Sequence, residues 1–343
     1  MSNFKFSVGP WNVSEGADVY GPEVRKTITL EDKIIMFKKL GFDAVQFHDD
    51  DAVPNMNNMT NEEIIAEAKH VKKILDENGL AAEFVAPRLW MDPHCTDGAF
   101  TSNSPEDREF AIWRAYRSID IANALGCNKI VLWLAREGTL CAESKSAVTA
   151  VKYLVEALNK MLTYDEKIKI LIEPKPNEPV DRSFCGTIGH VMGVSAATID
   201  PTRVGGLLES AHAVLAGLDP ANEIGFALAM GKLWGVHLND QNGLKFDQDR
   251  SFGVENLRQA FNQVKLLVEN GYGKNGEYIG LDVKAMRTTR DDAGWQHLTN
   301  SLEIFRILEA KVAKYDYSFQ EKCIKERNYE ALELYVMKLL MNG

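Results

Sequence analysis

Short runs of apolar and β-branched residues recur along this chain. Each is followed by a longer stretch whose apolar positions return every three or four residues. The runs predict strands at Phe4–Val8, Ala44–Phe47, Ala82–Ala86, Lys129–Trp133, Ile168–Ile172, Val204–Leu208, Leu233–Leu238 and Tyr278–Val283. Between them, segments such as "NEEIIAEAKHVKKILDENG", "EDREFAIWRAYRSIDIANALG", "AVTAVKYLVEALNKML" and "VENLRQAFNQVKLLVENG" have the period of amphipathic helices. Several close on glycine (Gly79, Gly126, Gly271), which takes the left-handed C-cap conformation without steric cost. "SPEDRE" at 104–109 places a serine cap, a proline and acidic residues at a helix start, where free N–H groups and the helix dipole favour them.

Eight strands alternating with helical segments fit an α/β protein of the (β/α)8 TIM-barrel kind, here predicted over residues 1–313. The first predicted strand runs into "SVGPWNVSEG", which lacks the GxGxxG spacing of a dinucleotide-binding turn. After residue 313 the chain is polar and helical to 343. The apolar side chains of this short C-terminal helical tail (Tyr329, Leu332, Leu334, Tyr335, Met337, Leu339) predict packing, on its own barrel or between subunits.

Composition narrows the class of partner. The 343 residues carry 39 basic and 49 acidic side chains, a formal charge of −10. Without clustered Lys and Arg there is no counterion-release footprint, so neither nucleic acid nor an anionic membrane is expected as a partner. The 5 cysteines (Cys95, Cys127, Cys141, Cys185, Cys323) are scattered with no CxxC spacing, which predicts neither a disulfide framework nor a zinc knuckle. With no apolar run long enough for a membrane helix and no secretory N-terminal pattern, a cytoplasmic location is expected.

A barrel of this kind places its chemistry just past the C-terminal ends of its strands. Ligand-type residues collect there. "FHDDD" puts His48 and Asp51 after the second predicted strand, and "LIEPKPNEP" puts Glu173 and Lys175 after the fifth. "LLESAH" supplies Glu209 and His212 after the sixth, three apart, so one helical turn brings them together. The seventh ends in "VHLNDQNGLKFDQD" with His237, Asp247 and Asp249, and the eighth in "LDVK" with Asp282 and Lys284. Taken singly, an Asp-x-Asp is usually a solvated loop and a strand histidine usually a hydrogen-bonded core residue. Joint placement at several strand ends is harder to explain that way. So many converging carboxylates would repel one another unless cations sat between them, which favours a site for two divalent metals.

The motifs "FHDDD", "EPKPNEP", "NDQNGLKFDQD" and "LDVK" closely resemble those of xylose isomerase, a metal-dependent aldose–ketose isomerase on a TIM barrel, in its shorter actinobacterial-type class. The similarity runs from about Phe4 to about Ala313. It implies two divalent cations per subunit (Mg²⁺, Mn²⁺ or Co²⁺), a small sugar substrate such as D-xylose or D-glucose, ring opening, and a metal-assisted 1,2-hydride shift. By the same resemblance His48 is the ring-opening histidine, oriented by Asp51, and Lys175 holds the sugar's O1. Glu173, Glu209 and Asp282 fall among the ligands of the structural metal. Glu209 bridges to a second metal completed by His212, Asp247 and Asp249, and a metal-bound water, deprotonated toward Asp249, takes the proton from O2. Trp11, Trp90 and Trp133 match aromatic walls around the sugar, with Lys284 beside them, and Tyr20 matches a ring that reaches a neighbouring subunit's site. The family also implies a homo-oligomer, a tetramer or dimer, although this tail is shorter than the family's intersubunit arm.

Three positions depart from the pattern. His237 stands where the family carries an aspartate ligand, and imidazole in that place is expected to tilt preference from Mg²⁺ toward Mn²⁺ or Co²⁺. Leu207 replaces a usual asparagine two residues before the bridging glutamate, and "RLW" (Arg88, Leu89, Trp90) replaces a more polar approach. Histidine on this strand also occurs in rhamnose isomerases and tagatose or psicose epimerases, so isomerisation or epimerisation of another sugar is the alternative. A non-catalytic sugar- or metal-binding barrel, and a phosphodiester-cleaving barrel of the endonuclease IV kind, fit the residues less well.

Overall fold

The computed structural model describes residues 4–342. Eight parallel strands close into a barrel: β1 (Phe6–Val8), β2 (Ala44–His48), β3 (Ala81–Ala86), β4 (Lys129–Trp133), β5 (Lys169–Glu173), β6 (Val204–Glu209), β7 (Leu233–Leu238) and β8 (Ile279–Leu281). Each strand pairs with its neighbours in sequence, and β1 pairs with both β2 and β8, so no edge is left exposed. Every expected strand is present. The ends differ by a residue or two, most at β8, where only three residues stay in register before the chain turns into its loop.

The alternation of side chains sorts the core into two layers. Val45, Phe47, Val85, Ile130 and Ile170 face outward and pack with helix residues such as Phe37, Ile64, Leu75, Leu154 and Phe305. Phe84, Ala86, Val131, Leu171 and Leu207 fill the barrel interior. The pairing register shifts at two points, between Gly206 and Leu207 where β6 meets β7 and between Val45 and Phe47 where β2 meets β3. Val45 pairs with Ala82 and Phe47 with Val85, so Glu83 and Phe84 together stand opposite Gln46. Such a bulge re-aims a side chain, and it lets both Glu83 and Phe84 contact groups of the barrel interior.

Local chemistry explains the helix limits. Thr60 and Glu63 form a reciprocal capping box at the start of the helix Asn61–Glu77. Ser104 caps Pro105–Leu125, which ends at Gly126 in the left-handed conformation (φ 81°). The tail forms helices Tyr317–Glu326 and Tyr329–Met341 and folds back on its own barrel. Lys311 Nζ donates to the Leu339 carbonyl at 2.9 Å, the Asp316 amide donates to the Tyr335 hydroxyl at 2.6 Å, and Arg258 pairs with Glu333 at 3.2 Å. A two-stranded antiparallel ribbon, Gly138–Thr139 with Arg182–Ser183, joins the loop after β4 to the loop after β5. Among the described residues no helix is long and apolar enough to cross a membrane.

Candidate metal and substrate site

Glu173 and Glu209 are the last residues of β5 and β6, His237 is the fifth residue of β7, and Asp282 follows β8 by one residue. Strand register aligns them: Glu209 lies opposite His237, and His237 opposite Gly280. One ligand atom from each of Glu173, Glu209, His237 and Asp282 lies within 4.8 Å of all the others. The Nδ1 of His237 points into this group, 2.9 Å from Glu173 Oε1 and 3.9 Å from both Glu209 Oε2 and Asp282 Oδ2. The histidine thus aims one ring nitrogen into a group of three carboxylates.

A second group shares Glu209. The helix Ser210–Leu215 begins directly after β6 and brings His212 round by one turn. Its Nε2 lies 3.3 Å from Glu209 Oε1 and 3.2 Å from Asp247 Oδ2, and the three residues together satisfy the same 4.8 Å criterion. Asp249, expected here, does not join it. Its carboxylate accepts instead from Asn239 Nδ2 at 3.0 Å and from the Lys284 ammonium, and its backbone is left-handed (φ 47°).

Burial and crowding make this region electrostatically tense. Burial and the neighbouring carboxylates Asp282, Asp247 and Asp249 push the Glu209 carboxyl well above the usual range. Burial also raises Asp249, with Asp247 adding to it, to about 8. Burial opposes ionisation of Glu173 too, but the adjoining His237 outweighs it and holds Glu173 at about 2. Against its own burial, His237 is raised to about 9 by Glu173. His212 Nδ1 and Asp247 Oδ1 are buried without a hydrogen-bond partner. Orphaned donors and acceptors among clustered carboxylates are what a divalent cation resolves, and oxygen-rich groups with one imidazole each suit Mg²⁺, Mn²⁺ or Co²⁺.

Both groups open on one cavity of about 430 Å³. Trp11, Trp90 and Trp133 wall it, and His48, Lys175 and Lys284 face it. Trp11 lies over His48 with ring centroids 4.3 Å apart, and its Nε1 donates to Asp282 Oδ1 at 2.9 Å, tying the aromatic wall to the four-residue group. Lys175 Nζ reaches Asp247 Oδ2 at 2.8 Å and Glu178 Oε2 at 3.4 Å; those partners outweigh burial and raise its pKa. Asp51 stands behind His48 rather than in the wall, its Oδ2 3.1 Å from His48 Nδ1. Tyr20 is 91% exposed and lines no part of this chain's cavity.

Three further residues support the site without being ligand or base candidates: Asn239 and Glu178 lie within the quoted motifs, and Arg88 within "RLW". Asn239 donates to both Glu209 Oε1 and Asp249 Oδ1, and its own oxygen accepts from the Ala211 amide. Glu178 accepts from the Asp247 amide at 3.0 Å and so anchors the loop after β7. Arg88 Nη2 lies 2.8 Å from His48 Nδ1 and 3.2 Å from Asp51 Oδ1, and its Nε donates to Asp50. A guanidinium only donates and a carboxylate only accepts, so His48 Nδ1 serves Arg88 as acceptor in one tautomer and Asp51 as donor in the other. Position just beyond a strand end marks both Asn239 and Arg88, and the motifs that contain Asn239 and Glu178 give a second signal.

The model of the xylose isomerase-like TIM barrel family matches residues 36–306. Over 312 residues the chain is 33% identical to the xylose isomerase of Thermus thermophilus, covering 90% of this chain and 79% of that protein. Among solved structures it is similar to a D-tagatose 3-epimerase-like protein (TM-score 0.66, 18% identity, 90% of this chain and 99% of that one). It is similar also to the 3-keto-D-glucoside 4-epimerase of E. coli (TM-score 0.62, 15% identity, 89% and 99%). At those identities the structural likeness speaks for the barrel alone. The family match and the 33% relative, together with the closed eight-stranded barrel, place this chain in the xylose isomerase-like TIM barrel family.

Proposed function

We propose that this protein is a divalent-metal-dependent aldose–ketose isomerase, converting D-xylose to D-xylulose and D-glucose to D-fructose. The observation that carries the reading is the junction of two carboxylate–histidine groups through Glu209, facing His48 and Lys175 across a single cavity. Glu173, Glu209, His237 and Asp282 would hold one cation, and Glu209, His212 and Asp247 the other. When bound, the cations supply Lewis-acid stabilisation of negative charge developing on sugar oxygens.

The chain's own groups divide the remaining work. His48, with Asp51 and Arg88 behind it at Nδ1, exchanges protons at the ring oxygen and O1 during opening. Lys175 is held cationic by Asp247 and Glu178, and donates to O1 as charge builds there. Asp249 receives the O2 proton, with the Lys284 ammonium opposite it to favour its ionised form. Trp11, Trp90 and Trp133 exclude water and pack on the apolar faces of the sugar. Tyr20 would serve the cavity of a neighbouring copy in a homodimer or homotetramer.

A second reading, epimerisation or isomerisation of another sugar, is favoured by His237, which removes one negative charge from the shared cluster. A panel of aldoses and ketoses with protein reconstituted in Mn²⁺, Co²⁺ or Mg²⁺ tests both. Interconversion of xylose and xylulose, lost in Glu209→Gln, is the expected result. Conversion of one ketose to another supports the second reading. Inertness of the metal-loaded protein toward every sugar tested overturns both.

A further inference from the structure

Two buried polar atoms of the barrel have no hydrogen-bond partner: Nε2 of His237, which lines the cavity, and Oε1 of Gln46. They belong to one layer of the barrel. Ser7 on β1 lies opposite Gly280 on β8, and Gly280 opposite His237 on β7. Gln46 reaches into this layer from β2. A Cβ on Gly280 would meet Gln46 Nε2 at 2.5 Å and His237 Cδ2 at 3.0 Å. Both side chains therefore approach the same bare stretch of backbone, and glycine is what leaves them the space.

The other end of the Gln46 amide is committed. Its Nε2 donates to Ser7 Oγ at 3.1 Å and to Glu83 Oε2 at 3.0 Å, which uses both amide hydrogens. The bulge in β3 is what brings Glu83 within reach. Only the amide oxygen remains, and it can only accept. His237 has the complementary need. Its Nδ1 faces Glu173, Glu209 and Asp282, so a ring that offers its Nδ1 lone pair to a cation carries its N–H on Nε2. Gln46 and Ser7 are fully buried, and Glu83 and His237 nearly so, which leaves no bulk water to compete.

We propose that Gln46 is the positioning residue of the four-residue cluster: its Oε1 accepts the Nε2–H of His237 through one buried water. The result is a chain Glu83–Gln46–water–His237 that fixes the tautomer with Nδ1 turned to the metal. The inference rests on the reading of that cluster as a cation site. Outer-shell partners of a ligand histidine typically carry about 10- to 100-fold of metal affinity. Here the carboxylate acts at one remove, through an amide whose two donated hydrogen bonds prevent it from flipping.

The test is a titration of the full-length protein with Mn²⁺ alone, followed by electron paramagnetic resonance. It compares wild type, Gln46→Met, His237→Asp and the double variant, all checked for folding by circular dichroism. Gln46→Met is expected to weaken one Mn²⁺ site about 10- to 100-fold and to alter the imidazole nitrogen coupling in its spectrum. In the His237→Asp background the same change is expected to alter affinity by less than about twofold, since the partner it acts through is gone. Equal weakening in both backgrounds means simple packing and overturns the relay. Glu83→Gln, which keeps the volume and removes the charge, is expected to behave likewise, and is read in place of Gln46→Met if that variant fails to fold. Wild-type protein that binds no Mn²⁺ overturns the metal reading itself. Wild-type protein that binds two Mn²⁺ with no change in Gln46→Met overturns the relay alone.

Discussion

Lys284 and Asp249 are joined twice: the backbone amide of Lys284 donates to the Asp249 carbonyl at 2.7 Å, and its ammonium pairs with the Asp249 carboxylate. The loop after β7 and the loop after β8 are thereby locked at one point, with Asp249 drawn toward Lys284 and away from His212. Lys284→Met removes the nearest positive charge from a carboxyl already raised by burial, so its pKa rises further above about 8. A base must be ionised to accept a proton, so the rising limb of the isomerisation pH–rate profile is expected to move to higher pH. The rate at neutral pH is expected to fall by about a hundredfold or more. An unmoved limb would show that Asp249 is not the group that titrates.

Asn239 is expected to matter for metal binding although it offers no ligand atom. One amide nitrogen holds Glu209 at 2.8 Å and Asp249 at 3.0 Å. Asn239→Leu keeps the volume and frees both carboxylates, and calorimetric titration with Mn²⁺ is expected to show affinity lower by about 10- to 100-fold. Retained affinity would assign Asn239 to packing.

His237→Asp converts the four-residue group to carboxylates only and adds one negative charge. Hard Mg²⁺ gains more from that exchange than Mn²⁺ does, because Mn²⁺ tolerates imidazole. The ratio of Mg²⁺ to Mn²⁺ dissociation constants, measured by competition, is expected to shift toward Mg²⁺. A ratio that stays put would mean His237 is not a ligand.

The remaining expectation concerns stability. Burial lowers the His297 pKa to about 4, against the hydrogen bond to the Asn12 carbonyl at 2.8 Å, while nearby Arg25 lowers it further. Between pH 6.5 and about 4 the unfolded chain binds a proton that the folded chain refuses, so stability falls as pH falls through this window and levels off below it. The full effect is about 3 kcal/mol. His297→Gln is expected to flatten this part of the denaturation-midpoint curve, and an unchanged slope would locate the acid sensitivity elsewhere.

The barrel was legible because each strand is a compact apolar run closed by polar ligand-type residues, and that same punctuation marks the site. Glu173, Glu209, His212, His237, Asp247 and Asp282 come together as their strand-end positions suggest. The spacing of "DQD" could not show that Asp249 turns away, because that depends on a left-handed backbone and on Lys284 arriving from the next strand. Gln46 and Glu83 read as ordinary polar residues in a strand; only the bulge, a matter of register between strands, brings Glu83 to Gln46. The tail's apolar side chains announced packing but not on what, since a helix face carries no record of its partner.

The small ribbon of Gly138–Thr139 with Arg182–Ser183 bears on how this barrel can be altered. It couples the rim segments that follow Trp133 and Lys175, so a length change in one would pull the other out of register. Diversification of the pocket would therefore be easiest on the opposite rim, around Trp11. A designer grafting a new sugar preference would vary that half and leave the stitched half as a fixed wall.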